Sequence, residues 1–72
     1  MTADEIINYK TTKQIKVYKL NQIGLSNAEI VEAIKPLFVG TAGSRNESFV
    51  RWVLNEFAEN PKKIERANKI RD

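Results

Sequence analysis

The sequence predicts an all-α domain: three main helices, an extended turn before the last of them, and a short C-terminal helix. Three observations carry this. Seven serine or threonine residues occur, and four have Glu or Gln three positions on: Thr2 with Glu5, Thr11 with Gln14, Ser26 with Glu29, and Ser44 with Glu47. Chance would give about one such pair, and the spacing is that of a capping box, in which each side chain satisfies a backbone N–H that the helix start leaves open. Downstream of each start, apolar residues recur at three- and four-residue intervals, the period of a helix face. The nearest strand signal is "FVGT", too short to pair usefully.

Thr2 opens a short segment, Ala3 to Tyr9, with Ile6 and Ile7 to bury. Thr11 opens a helix from Thr12 to Ile23, where Val17, Leu20 and Ile23 form one stripe and Ile15 and Tyr18 a second apolar edge, so this helix packs on two sides. Gly24 ends it, because glycine tolerates the left-handed conformation at a helix C-terminus. Ser26 opens "SNAEIVEAIK", with Leu25 and Ile30 placed as a hydrophobic staple and Ile30, Val31 and Ile34 as the buried stripe. Pro36 ends that helix near Lys35. "PLFV" follows as a buried irregular segment or short turn. Ser44 then opens the last main helix, in which Phe49, Val50, Val53, Leu54 and Phe57 fall on one side and Ser48, Arg51, Trp52 and Asn55 on the other. Asn60-Pro61 reads as a new cap and first-turn proline. The division is a domain over 1–60 and a basic segment over 61–72, where only Ile64, Ala67 and Ile70 are available for burial.

At 72 residues the chain is one small domain. It contains no cysteine and no histidine, which removes disulfides, thiolate metal sites and the commonest general base. The carboxylate pairs Glu29/Glu32 and Glu56/Glu59 sit at helical spacing and read as solvated faces. The expectation is therefore no enzyme, no cofactor and no metal. No apolar run approaches the roughly 18 residues of a membrane span, and "MTADEIINY" lacks a secretory core, so a cytoplasmic protein without membrane attachment is expected. The net charge of +3 is unevenly spread. Lys10, Lys13, Lys16 and Lys19 stand without acid in residues 10–20, and residues 60–72 carry a local +3, around a slightly acidic centre. Basic segments of this kind suit a polyanion or a solvated surface.

The loop "VGTAGSRNES" has the glycines of a phosphate cradle but lacks the Gly-Lys-Ser/Thr end of a nucleotide-binding loop, and no strand precedes it. It reads as the launch of the last main helix, with Gly40 and Gly43 supplying the turn.

Residues 15–34, "IKVYKLNQIGLSNAEIVEAI", resemble the first two helices of tri-helical helix-turn-helix domains, on Gly24, Leu25, Ser26, Glu29, Ile30, Val31 and Ile34. The departure is the connection: a standard turn has three or four residues, and here eight to ten lie between Lys35 and the helix after Ser44. The resemblance implies double-stranded DNA as partner and a transcriptional or replication regulator, of the kind carried by phages or plasmids. The last main helix then enters the major groove. Asn46, Ser48, Arg51 and Asn55 are the base-contact candidates, since Arg pairs with guanine and Asn with adenine. Ser26, Asn27, Thr41, Ser44, Arg45, Lys10, Lys13 and Lys16 are the backbone-contact candidates. Against this stand Glu47, Glu56 and Glu59 on the same helix. The alternative is a small helical interaction module that forms a homodimer or other assembly through Trp52, Ile15 and Tyr18. Trp52 decides between a residue covered by Ile64 or Ile70 and an exposed contact.

Overall fold

The computed structural model describes residues 2–38 and 46–69, and within them the chain is all-helical, with no strand. Five α-helices follow one another: α1 (Ala3–Asn8), α2 (Lys13–Gln22), α3 (Asn27–Ile34), α4 (Glu47–Glu59) and α5 (Pro61–Asn68). The "PLFV" region enters a 3₁₀ turn, Lys35–Phe38, directly continuing α3. Residues 39–45 lie outside the described residues, and with them Thr41, Ser44, Arg45 and most of the extended turn.

Two of the four predicted capping boxes form. At α1, Thr2 N–H donates to Glu5 Oε1 at 3.0 Å and Glu5 N–H to Thr2 Oγ1 at 3.3 Å. At α3 the same exchange joins Ser26 and Glu29 at 2.9 and 3.2 Å. The other two starts shift. Helix α2 is capped by Thr12, whose Oγ1 accepts from Ile15 N–H at 3.2 Å, in place of Thr11. Thr11 is used in the preceding bend, where its N–H donates to the Tyr9 carbonyl. Helix α4 begins at Glu47 with Asn46 as cap, later than a Ser44 start requires: Asn46 Oδ1 accepts from the N–H groups of Ser48 and Phe49 at 3.1 and 3.3 Å. In both cases two cap-forming residues stand within two positions of each other, and the local pattern does not choose between them.

The junction between α2 and α3 is complete in local terms. Gly24 adopts φ +102°. Its N–H donates to the Asn21 carbonyl and that of Leu25 to the Leu20 carbonyl, at 3.1 and 3.2 Å, which is a Schellman motif. One residue later Ser26 caps α3. Ile23, expected in the buried stripe, instead occupies the C-cap and is exposed, because the helix ends before its face returns to the core.

Helix α2 is the centre of the fold: it touches α1, α3, α4 and α5. Helices α2, α3 and α4 each pack on the other two, α1 covers the α2–α3 side, and α5 covers the α2–α4 side. The core contains Ile6, Val17, Leu20, Ile30, Ile34, Val50, Val53, Phe57 and Ala67, drawn from all five helices. The C-terminal segment is thus part of this packing through Ala67, with Ile64 half-buried against the same core.

The lysine surface read along α2 does not exist as such. Lys16 and Lys19 are each only 8% exposed. Lys16 Nζ donates to the Ile7 carbonyl at 2.6 Å, which ties α2 to α1. With four neighbours, α2 has little surface left, so these side chains lay their methylene stems along it.

Candidate functional site

Two surfaces carry chemistry, and both involve α4. The first is the strip on its outer side. The apolar residues Val50, Val53 and Phe57 turn inward, with Phe49 and Leu54 half-buried beside them. The period of 3.6 then leaves Ser48, Arg51, Trp52 and Asn55 exposed, as expected. Asn46 stands at the head of the strip with its Oδ1 committed to the cap. Arg51 Nη2 lies 3.4 Å from Ser48 Oγ, a long contact between two exposed side chains.

Trp52 is 49% exposed. Ile64 packs into the core and does not cover it, and Ile70 lies outside the described residues. The indole keeps company with Phe49, at 6.4 Å between ring centroids. Tyr18 has the opposite fate: its ring stacks on Phe57 at 4.7 Å, and Ile15 is half-buried against the core. The apolar edge of α2 is therefore largely spent on α4 and α5, and the three proposed interface residues do not form one patch of equal exposure.

The acids on α4 are distributed unevenly. Glu56, which opposes a polyanion partner, lies 3.5 Å from Lys63 of α5, an ion pair in which both side chains are about one third exposed. Glu47 occupies the first turn, where a negative charge suits the helix dipole. Among the backbone-contact candidates, Lys10, Lys13 and Ser26 are exposed and Asn27 is half-buried, whereas Lys16 is withdrawn into the α1–α2 contact. Both the hydroxyl and the N–H of Ser26 are engaged with Glu29, and the N–H bond to the carboxylate holds Glu29 below the ordinary value of 4.5.

The second surface is a groove of about 500 Å³ between the start of α2, α4 and α5. Ile15, Phe49 and Phe57 form its apolar part, and Lys13, Lys63 and Arg66 supply its cations. Thr12 and Gln14 complete it from the first turn of α2. Lys63 Nζ stands 6.0 Å from the centre of the Phe57 ring. No carboxylate lines the groove. Sequence reading missed this assembly. Its signals were present separately, as the basic segment after residue 60 and the apolar edge at Ile15, on stretches nearly fifty residues apart.

Among the described residues, no group of three or more His, Cys, Asp or Glu side chains could hold a metal ion, and no helix is long and apolar enough to cross a membrane. No family model, curated protein or solved structure matches the chain.

Proposed function

We propose that this chain is a small DNA-binding protein of helix-turn-helix-like build, acting as a transcriptional or replication regulator, with α4 as the helix that enters the major groove. The observation that carries this reading is the division of α4. One side closes a three-helix core with α2 and α3, and the other offers Ser48, Arg51 and Asn55 to solvent at helical spacing. Hydrogen-bonding side chains on an exposed helix can read base edges, Arg at guanine and Asn at adenine. The Gly24 turn and Ser26 cap set α3 behind it in the manner that the "GLSNAEI" resemblance implies. The pairing of Glu56 with Lys63 weakens the electrostatic objection to this helix. Of the flanking lysines, Lys10 and Lys13 remain as backbone contacts and Lys16 drops out.

Fluorescence anisotropy of a labelled duplex across a salt series tests the reading. Affinity should fall steeply with salt, by a log–log slope of about −0.9 for each phosphate neutralised. Absence of binding at low salt sinks it. Arg51→Ala should cost about 1–3 kcal/mol of DNA affinity with the thermal melt unchanged, because the side chain is exposed. Unchanged affinity would move the contact surface to the lysines.

A second reading rests on the half-exposed indole of Trp52: self-association through this residue. Sedimentation of wild type and Trp52→Ala decides it. A dimer that the substitution leaves intact removes Trp52 from the interface.

A further inference from the structure

We infer that the groove between α2, α4 and α5 is a docking site for an acidic, apolar peptide segment of a protein partner: a large apolar side chain flanked by carboxylates. This site is separate from the strip proposed for DNA and does not depend on that reading. Three features point to the occupant. The floor is apolar and largely aromatic, formed by Ile15, Phe49 and Phe57. The cations Lys13, Lys63 and Arg66 come from two helices, with no carboxylate among the lining residues. The volume of about 500 Å³ lies within the range of sites that enclose a ligand group.

Charge complementarity selects an anion. Lys63 is held by Glu56 only through a 3.5 Å, partly exposed pair, which an incoming carboxylate can replace at little cost. Arg66 is exposed and presents a planar fork suited to a carboxylate. The first turn of α2 contains no acidic residue, so nothing there opposes a negative ligand. The apolar floor then separates a peptide from a nucleic-acid backbone. A sugar-phosphate chain would satisfy the cations and leave Ile15, Phe49 and Phe57 without a partner. A leucine or phenylalanine side chain between acids satisfies both.

The test is a titration of ¹⁵N-labelled protein with the end-blocked hexapeptide EEFLEE, followed by NMR. Chemical-shift changes should concentrate at Ile15, Phe49, Phe57 and Lys63. The control peptide EESSEE, which keeps the charge and loses the apolar anchor, should bind at least about tenfold more weakly. The double substitution Lys63→Glu, Arg66→Glu should also weaken EEFLEE by about tenfold. Both heads lie at the rim and neither residue belongs to the buried core, and Arg66→Gln alone gives a milder loss of the same sign if the double variant unfolds. Arg51→Ala should bind the peptide as wild type does, so failure of the DNA reading and failure of this one are distinguishable. Four results would overturn the inference. These are no shifts in the groove up to about 1 mM peptide, equal binding of EESSEE, undiminished binding by the charge-reversed and Arg66→Gln variants, or dodecanoate binding the same residues as tightly as the peptide.

Discussion

The outer strip of α4 and the groove beside it share one helix, but the strip needs only that helix and the groove needs three. Ser48, Arg51 and Asn55 are brought together by the helical repeat alone. Ile15, Phe57 and Arg66 are brought together because α2 lies at the centre and α5 folds back against it. A surface made by one helix persists wherever the helix forms. A surface made by three exists only in the packed domain. Phe49 lies where the two meet, lining the groove while its ring neighbours Trp52.

The largest expected effect comes from Phe57→Ala. Phe57 is 1% exposed, stacks on Tyr18 and lines the groove. Its removal should cost about 3–5 kcal/mol, out of a total of about 4–11 kcal/mol for a domain of this size. Urea denaturation measures it. The groove should be lost and the strip weakened with the fold. A variant that remained folded and bound DNA normally while losing the hexapeptide would sharpen the comparison, by showing that the two surfaces part at this residue.

Asn46→Ala should act on the strip first. It removes the acceptor for the N–H groups of Ser48 and Phe49 and should cost about 1 kcal/mol. Amide hydrogen exchange should rise in the first turn of α4 and leave α2 and α5 unchanged. Equal loosening of α5 would break the comparison, since it would mean that the start of α4 holds the groove together as well.

The smallest effect lies at the start of α3, away from the groove. The Ser26 N–H bond lowers the Glu29 carboxyl from its ordinary 4.5. A group whose folded value is depressed contributes stability that is fully present above the unfolded value. Here that contribution is complete above pH 4.5 and is lost as the pH falls through the lowered folded value. A carboxyl NMR titration should show Glu29 returning toward 4.5 in Ser26→Ala. The urea midpoint of Glu29→Gln should fall less between pH 6 and pH 3 than that of wild type. An identical acid response in both proteins would show that Ser26 does not tune Glu29. The groove should keep its peptide affinity in Glu29→Gln throughout.

Local rules were enough for much of the fold. The boxes at Thr2 and Ser26, the glycine at position 24 and the proline at position 61 each act over a few residues, and each stands where the pattern put it. The same rules failed at Thr11 and Ser44. There a second capping residue stood close by, and the choice between two starts of similar energy depended on how the preceding segment turned. The strip of the candidate site was legible for the same reason that the helix was. Lys16 was misread because a lysine among polar neighbours looks solvated until a second helix is laid over it.

By itself, the sequence determined that the chain is helical, where most helices begin and end, and which side of α4 faces outward. These follow from hydrogen bonds and side-chain directions that span no more than one or two turns. Only the tertiary structure decided that α2 is central, that Lys16 and Lys19 are buried, that Trp52 is exposed, and that Lys63 and Arg66 of α5 stand over Phe57 and Ile15. Those outcomes depend on which apolar faces meet when the chain collapses. Burial is a property of neighbours, and in this chain the deciding neighbours lie up to fifty residues away.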